Sequence, residues 1–290
     1  MLTGLDHAIV ALRSLDAAER IGEALGLHVT RGGEHPGRGT HNAIIRFGAD
    51  YLEFIAVADP TLAASTAPGR ALQAFLGQGE GWLGFALASD DLAGDVAAAR
   101  GRGLVLEDPE EGSRLRPDGT LMSWQTARVV GSPWGGTLPF LIQHRTPLDE
   151  RVSWAPAAGH TLGATCISAV SVATGDLEAL VVSYSRLLGR SPDVAEDVPA
   201  LPARRVVFQV GDLRLEILQP MAPEGGLADF VRKHGTGLFL VSLAVPNVDE
   251  AVAVLRRRGT AVGNPTWRRR APLLDHRQTG GARFQLVETR

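Results

Sequence analysis

Residues 35–60 read HPGRGTHNAIIRFGADYLEFIAVADP. Two runs rich in β-branched and apolar residues, 40–47 and 51–57, flank Gly48-Ala49-Asp50, a short glycine-containing link that suits a hairpin. Side chains alternate across a strand. Tyr51, Glu53, Ile55 and Val57 therefore share one face of the second strand, and Leu52, Phe54 and Ala56 the other. On the first strand Thr40, Asn42, Ile44 and Arg46 form one face, and His41, Ala43, Ile45 and Phe47 the other. Glu53 stands mid-strand among apolar residues. A carboxylate there needs a partner, a metal or water, because burying it alone is costly. One face of the first strand should meet it.

Outward from this hairpin, one order of elements recurs. Residues 2–12 are a strand candidate, Ser14 or Asp16 can cap a helix stopped by Gly26, and 27–30 looks like a second strand. Gly32-Gly33 and Pro36-Gly37 mark a loop before the hairpin. The unit is strand, helix, strand, strand, strand. It repeats with strands at 81–89, 104–107, 121–130 and 138–144 and a helix running to Arg102. A third unit starts at 165, opens its helix at Asp176-Leu177 and turns its hairpin at Gly211-Asp212. A fourth starts at 238, opens its helix after Asn247 and closes at 282–288. Such recurrence outranks any local assignment. Residues 58–79 are an insertion with a short helix near 70–76, and 146–160, aperiodic with two prolines, reads as a linker. Domains at 1–145 and 161–290 follow.

The chain has 290 residues, enough for two domains, and its 44% apolar and 21% charged content is that of a globular protein. A net charge of −3 leaves no electrostatic footprint for nucleic acid. Cys166 is the only cysteine, which excludes an intramolecular disulfide and a cysteine-cluster metal site. No apolar run approaches the roughly 20 residues of a membrane helix. MLTGLDHAIV has no basic region before its apolar run, as a signal peptide would. The expectation is a cytoplasmic protein with neither nucleic-acid nor membrane partners.

Particular motifs carry a resemblance. LDHAIVAL with Leu15-Asp16, Gly39-Thr40-His41-Asn42, Tyr51-Leu52-Glu53, Trp134-Gly135-Gly136 and Pro139-Phe140-Leu141-Ile142 together resemble the glyoxalase-like group of the vicinal oxygen chelate superfamily, which includes glyoxalase I, extradiol dioxygenases and bleomycin resistance proteins. The resemblance implies an α+β fold of four βαβββ units, paired into two glyoxalase-like domains with curved mixed sheets. It implies a lyase, isomerase or hydrolase acting on a small oxygenated molecule, or a non-catalytic binding or resistance protein on the same scaffold. It also implies that each unit can give one ligand from its first strand and one from its last. Here those positions are His7 and Glu53, which suit a divalent Mn, Fe, Co, Ni or Zn. The same registration gives Gly84 with Phe140 or Leu141 in unit two, Ala169 with Glu216 in unit three, and Leu240 with Gln285 in unit four. No metal is expected if so depleted a site is degenerate.

His7 with Glu53 therefore has three readings: a metal pair, a metal-free catalytic or substrate-binding pair, and a buried structural pair. His41 or His35 could supply a third ligand. His41 and Asn42 could instead donate hydrogen bonds to a ligand. Arg38 and Arg46 are solvated charge by default, or else clamp a carboxylate or phosphate. Trp124 is core by default, or else lines a cavity wall. His144 stands at an element end in no defensible ligand spacing. The partner expected is a small molecule, with a homodimer covering exposed sheet edges.

Overall fold

The computed structural model describes residues 1–152, 159–198, 201–265 and 271–289. The first repeat is β1 (Leu2–Ala11), α1 (Asp16–Leu25), β2 (Thr30–His35), β3 (Thr40–Arg46) and β4 (Tyr51–Val57). Helices α2 (Pro60–Ser65) and α3 (Ala67–Gln78) fill the insertion. The second repeat is β5 (Gly81–Ser89), α4 (Leu92–Gly101), β6 (Glu110–Leu115), β7 (Leu121–Ala127) and β8 (Phe140–His144), followed by α5 (Leu148–Val152). The third is β9 (Cys166–Ala173), α6 (Leu177–Leu188), β10 (Val194–Val198), β11 (Ala203–Val210) and β12 (Leu213–Pro220). After α7 (Gly226–His234) the fourth is β13 (Gly237–Val245), α8 (Val248–Arg257), β14 (Val262–Pro265), β15 (Pro272–Leu274) and β16 (Phe284–Glu288). Three of the four strand-to-helix junctions are side-chain caps: Asp91, Asp176 and Asn247 accept from the backbone N–H groups of Gly94, Ala179 and Glu250.

The fold is α+β, and its repeats pair one with two and three with four. The first eight strands close into a barrel in the order β1-β4-β3-β2-β6-β7-β8-β5, while the last eight form an open sheet, β10-β11-β12-β9-β13-β16-β15-β14. Closure leaves the first sheet no free edge. The expectation of a homodimer over open edges therefore concerns only β10 and β14. Part of the expected linker, 153–158, lies outside the described residues.

In the hairpin Arg46 stands opposite Tyr51, Ile44 opposite Glu53, and Asn42 opposite Ile55. Opposed residues point the same way, so the Asn42 face is the one that meets Glu53. The other face carries Ala43, Ile45, Leu52, Phe54 and Ala56 into the core that also holds Ile21 and Leu25 of α1. The greasy side of this barrel is thus its outside, under the helices, and the polar side is its interior.

Two strands depart from the expectation. The strand expected at 27–30 lies at Thr30–His35, through the glycine pair, and that expected at 104–107 lies at Glu110–Leu115. Residues 104–107 contribute only an isolated bridge from Leu106 to Val129. Both strands lack apolar alternation for physical reasons. Gly33 sits at φ +126, and a Cβ there would come within 1.9 Å of the Leu115 carbonyl oxygen, so glycine is what lets β2 and β6 close the barrel. β6 turns Arg114 inward rather than an apolar side chain.

On the opposite side of the barrel β1 and β5 pair antiparallel, with His7 across from Ala86 and Ile9 across from Gly84. This pairing is two-fold, so Gly84 takes the place of His7 in the second repeat. Glu53 lies beside Ile9, and Phe140 beside Ala86. Phe140 therefore takes the place of Glu53. Gly84 has no room for a side chain, because its Cβ would fall 1.9 Å from the Trp134 carbonyl oxygen and 2.6 Å from the Gly135 carbonyl carbon. Gly84→Ala should destabilise the protein by about 1–3 kcal/mol through this backbone overlap. Gly77→Ala in α3, where an added methyl meets nothing within 4 Å, should be neutral or stabilising. Denaturant melts of both variants check this, and equal behaviour of the two would refute it.

Candidate functional site

The barrel interior holds a partly open cavity of about 70 Å³. Of the residues singled out from sequence, it brings together His7, Asn42, Arg46, Glu53 and Trp124, together with His35 and Arg38. His41 does not join them. It is next to Asn42 on β3 and points to the opposite face, so it cannot orient anything bound in the cavity. Arg46 is not solvated charge: it is 6% exposed, with its guanidinium 4.6 Å above the Tyr51 ring. Trp124 is half-buried on the wall, where the bare backbone of Gly112 makes room for its indole nitrogen. Arg114, Arg128, His144 and Arg151 also line the space.

Glu53 is held from both sides. Asn42 Nδ2 donates to its Oε1 at 2.6 Å, and His7 Nε2 lies 3.3 Å from its Oε2. His7 Nδ1 is 2.6 Å from Asp6 Oδ1, and Asp6 Oδ2 is 2.8 Å from His144 Nε2 and 3.7 Å from Arg151 Nη1. The His7 ring stacks on Tyr51 at 4.7 Å and meets Phe140 edge-on at 5.5 Å, which fixes its plane. Asp6 is a residue that sequence reasoning missed. Alternation would send consecutive residues to opposite faces, but the β1–β5 register shifts between Leu5 and His7. That bulge turns Asp6 toward the His7 ring.

The proton positions follow from donors and acceptors. Burial works against ionisation of Asp6, yet His144 and then His7 outweigh it and hold its carboxyl well below the usual range. Ionised Asp6 takes the Nδ1–H of His7. His35 behaves differently: burial pushes its pKa down to about 4, helped by Arg114 and Arg38 against the pull of Glu53. Neutral His35 can donate from Nδ1 to Thr40 Oγ1 at 2.9 Å and offer Nε2 to the Asn42 amide at 3.5 Å. Burial also keeps Tyr51 a protonated phenol.

The donor set does not fit the divalent metal that the resemblance implies. His7 and Glu53 face Gly84 and Phe140 at the two corresponding positions, neither of which offers a donor, and a catalytic metal usually has three protein ligands. His35 Nε2 is 3.8 Å from Glu53 Oε1, but the Asn42 amide hydrogens point at both atoms. Arg114 Nη1, 3.5 Å from Asn42 Oδ1, holds the amide that way round. Among the described residues no three His, Cys, Asp or Glu side chains converge to hold an ion.

Folding with a depressed His35 pKa has a signed consequence. The unfolded chain binds that proton near the ordinary pH 6.5, the folded one only near 4, so this group costs stability as pH falls between the two. Asp50 acts in the opposite sense, because burial raises its pKa to about 6 and folding then takes up a proton as pH falls. His35→Gln should remove only the first effect. Relative to the wild type, the variant should gain up to about 3 kcal/mol between pH 7 and 4 in chemical denaturation. A pH-independent difference would show that His35 titrates normally in the folded protein.

A profile for a glyoxalase-like domain matches residues 5–188, and one for the glyoxalase, bleomycin resistance protein and dioxygenase superfamily matches residues 169–275. Mitochondrial methylmalonyl-CoA epimerase of Bos taurus is 31% identical over 140 residues, which are 45% of this chain and 77% of that protein. The human protein of the same name is 27% identical over 90 residues, 31% of this chain and 51% of its own. Among solved structures, a hypothetical protein from Staphylococcus aureus superposes with a TM-score of 0.69 at 14% identity, covering 99% of both chains. A triple mutant of 4-hydroxymandelate synthase from Streptomyces coelicolor gives 0.67 at 16% identity, covering 99% of this chain and 92% of that one. At such identities these structures speak for the fold alone. No helix among the described residues is long and apolar enough to cross a membrane. With most of its length matched by the first profile, the chain belongs to the glyoxalase-like domain family.

Proposed function

We propose that this chain is a glyoxalase-like enzyme that moves a proton on a small oxygenated substrate, as an isomerase, lyase or hydrolase, without a resident metal. Residues 1–145 are taken as its active domain, 146–160 as the linker and 161–290 as the second domain. One observation carries the reading: Glu53 faces an internal cavity with both carboxylate oxygens already oriented, by Asn42 and by His7. Glu53 is the general base and acid. The Asn42 amide fixes one oxygen, so the other meets the substrate in a constant direction. The His7 ring holds the proton that Glu53 gives up or needs, and ionised Asp6 stabilises the resulting imidazolium without becoming protonated itself. Negative charge developing on the substrate oxygen faces the guanidinium groups of the wall, where exclusion of water strengthens the attraction.

A second reading, a binding protein without chemistry, is favoured by the loss of donors at Gly84 and Phe140. The experiment is a panel of small carbonyl and hydroxy compounds incubated with the protein in D2O and followed by NMR. The proposal expects deuterium uptake or conversion that falls at least about 100-fold in Glu53→Gln and is unchanged by a metal chelator. Equal rates in Glu53→Gln would remove Glu53 from the chemistry. Compounds that raise the melting temperature yet come back unchanged and undeuterated would favour the second reading.

A further inference from the structure

We propose that the cavity binds an organic anion, its carboxylate or phosphate gripped by Arg46, Arg114 and Arg151 beside Glu53. Calling that anion the substrate rests on the proposed function; the binding itself does not.

The charge inventory leads to it. Five arginines line the cavity against one carboxylate, Glu53. Arg128 is balanced by Glu110 at 3.0 Å and Glu107 at 4.0 Å. Arg46 and Arg114 make no ion pair with the described residues, and the segments outside these, 153–158, 199–200, 266–270 and 290, contain no Asp or Glu side chain. Both arginines are about as buried as core side chains, at 6% and 5% exposure. Their contacts are long: Arg46 Nη1 lies 3.4 Å from the Gly48 carbonyl oxygen, and Arg114 Nη1 lies 3.5 Å from Asn42 Oδ1. The Nε atoms of Arg46, Arg114 and Arg151 and Nη1 of Arg151 are buried with no hydrogen-bond partner. A guanidinium cannot shed its proton to escape burial, and a buried unpaired charge is strongly unfavourable. A carboxylate or phosphate, which accepts two parallel N–H bonds from an arginine fork, completes the set.

The backbone is shaped around this cluster. Gly32 lies beneath it, and a Cβ there would fall 2.0 Å from Asn42 Oδ1 and 2.9 Å from Arg114 Nη1. Arg46 stands over Tyr51, whose other neighbour is the His7 ring. Arg114 touches Asn42, which holds Glu53. The anion site is therefore one side chain, Asn42, from the proposed base along one route and two, Tyr51 and His7, along the other. A transient oxyanion would account for one guanidinium in one state; the resting protein keeps two uncompensated.

The test is a titration of the full chain with pyruvate, inorganic phosphate and neutral pyruvamide, at ionic strength held constant with chloride. Melting temperature and calorimetry give the readout. A saturable shift with pyruvate or phosphate but not pyruvamide is expected, and the two anions separate a carboxylate site from a phosphate site. Arg46→Gln and Arg114→Gln should each weaken binding at least tenfold. Arg114→Lys, which keeps the charge and loses the fork, covers the case in which the glutamine variant does not fold, and should also weaken it. Glu53→Gln should bind at least as tightly, since it removes the one negative charge. No response to either anion, an equal response to pyruvamide, or wild-type affinity in the arginine variants would overturn the proposal. Anion binding retained while Glu53→Gln still turns substrate over would instead refute the proton-transfer role and leave the anion site standing.

Discussion

A carboxylate inside a closed barrel must be answered by the barrel. Glu53 cannot turn to bulk water, and the interior around it is arranged accordingly: an amide on one oxygen, an imidazole on the other, and a second carboxylate behind the imidazole. Each partner is held in turn. Asn42 sits against Arg114 and His35, His7 lies between Tyr51 and Phe140, and Asp6 reaches His144. Networks of this kind are ordered when fully satisfied and expensive when not. The run from Arg114 to His144 crosses β6, β3, β4, β1 and β8, so the polar interior ties together strands from both repeats.

The same demand explains where the barrel spends its glycines. Gly33 lets β2 approach β6, Gly32 leaves space for Arg114 and Asn42, Gly112 lies under Trp124, and Gly84 accepts the Trp134 loop. At each position a side chain has been given up so that a functional group or a neighbouring backbone can occupy the volume. The last of these is also the position in the second repeat that matches His7 in the first. Main chain at that position and Phe140 at the one matching Glu53 leave His7 and Glu53 as the two donors among these four positions.

Much of this was legible in the sequence, and the remainder was hidden by identifiable physics. Period-two alternation gave the two faces of the hairpin, and the recurrence of elements gave the four repeats, because both depend on local order alone; the pairing of repeats came only with the resemblance. The registration that put Gly84 and Phe140 in the second repeat at the places of His7 and Glu53 agrees with the strand pairing. β2 and β6 escaped because their roles call for glycine and arginine, which imitate a loop. Asp6 escaped because a bulge breaks alternation at that residue. His144 and Arg151 escaped because closing the barrel brings them near Asp6 from more than a hundred residues away. His41 was a false candidate because alternation defines two faces without saying which is inward. Arg46 looked like surface because arginine usually is.

The second sheet supplies an internal control for reading Glu53 as reactive rather than structural. Glu216 lies beside Ser171 as Glu53 lies beside Ile9, and Ala169 and Arg214 stand where His7 and Tyr51 do. Glu216 is fully buried, accepts from Ser171 at 2.9 Å, and lies 3.4 Å from Arg205 and 3.5 Å from Arg214. Its charge is matched by neighbouring cations on its own strands. Glu53 sits on the same scaffold position with the cations arranged otherwise: the buried guanidiniums line the cavity, and the group nearest its second oxygen is an imidazole backed by an ionised aspartate. Two copies of one position within a single chain thus stand in different company: Glu216 lies against a hydroxyl and two guanidiniums, Glu53 against an amide and an imidazole.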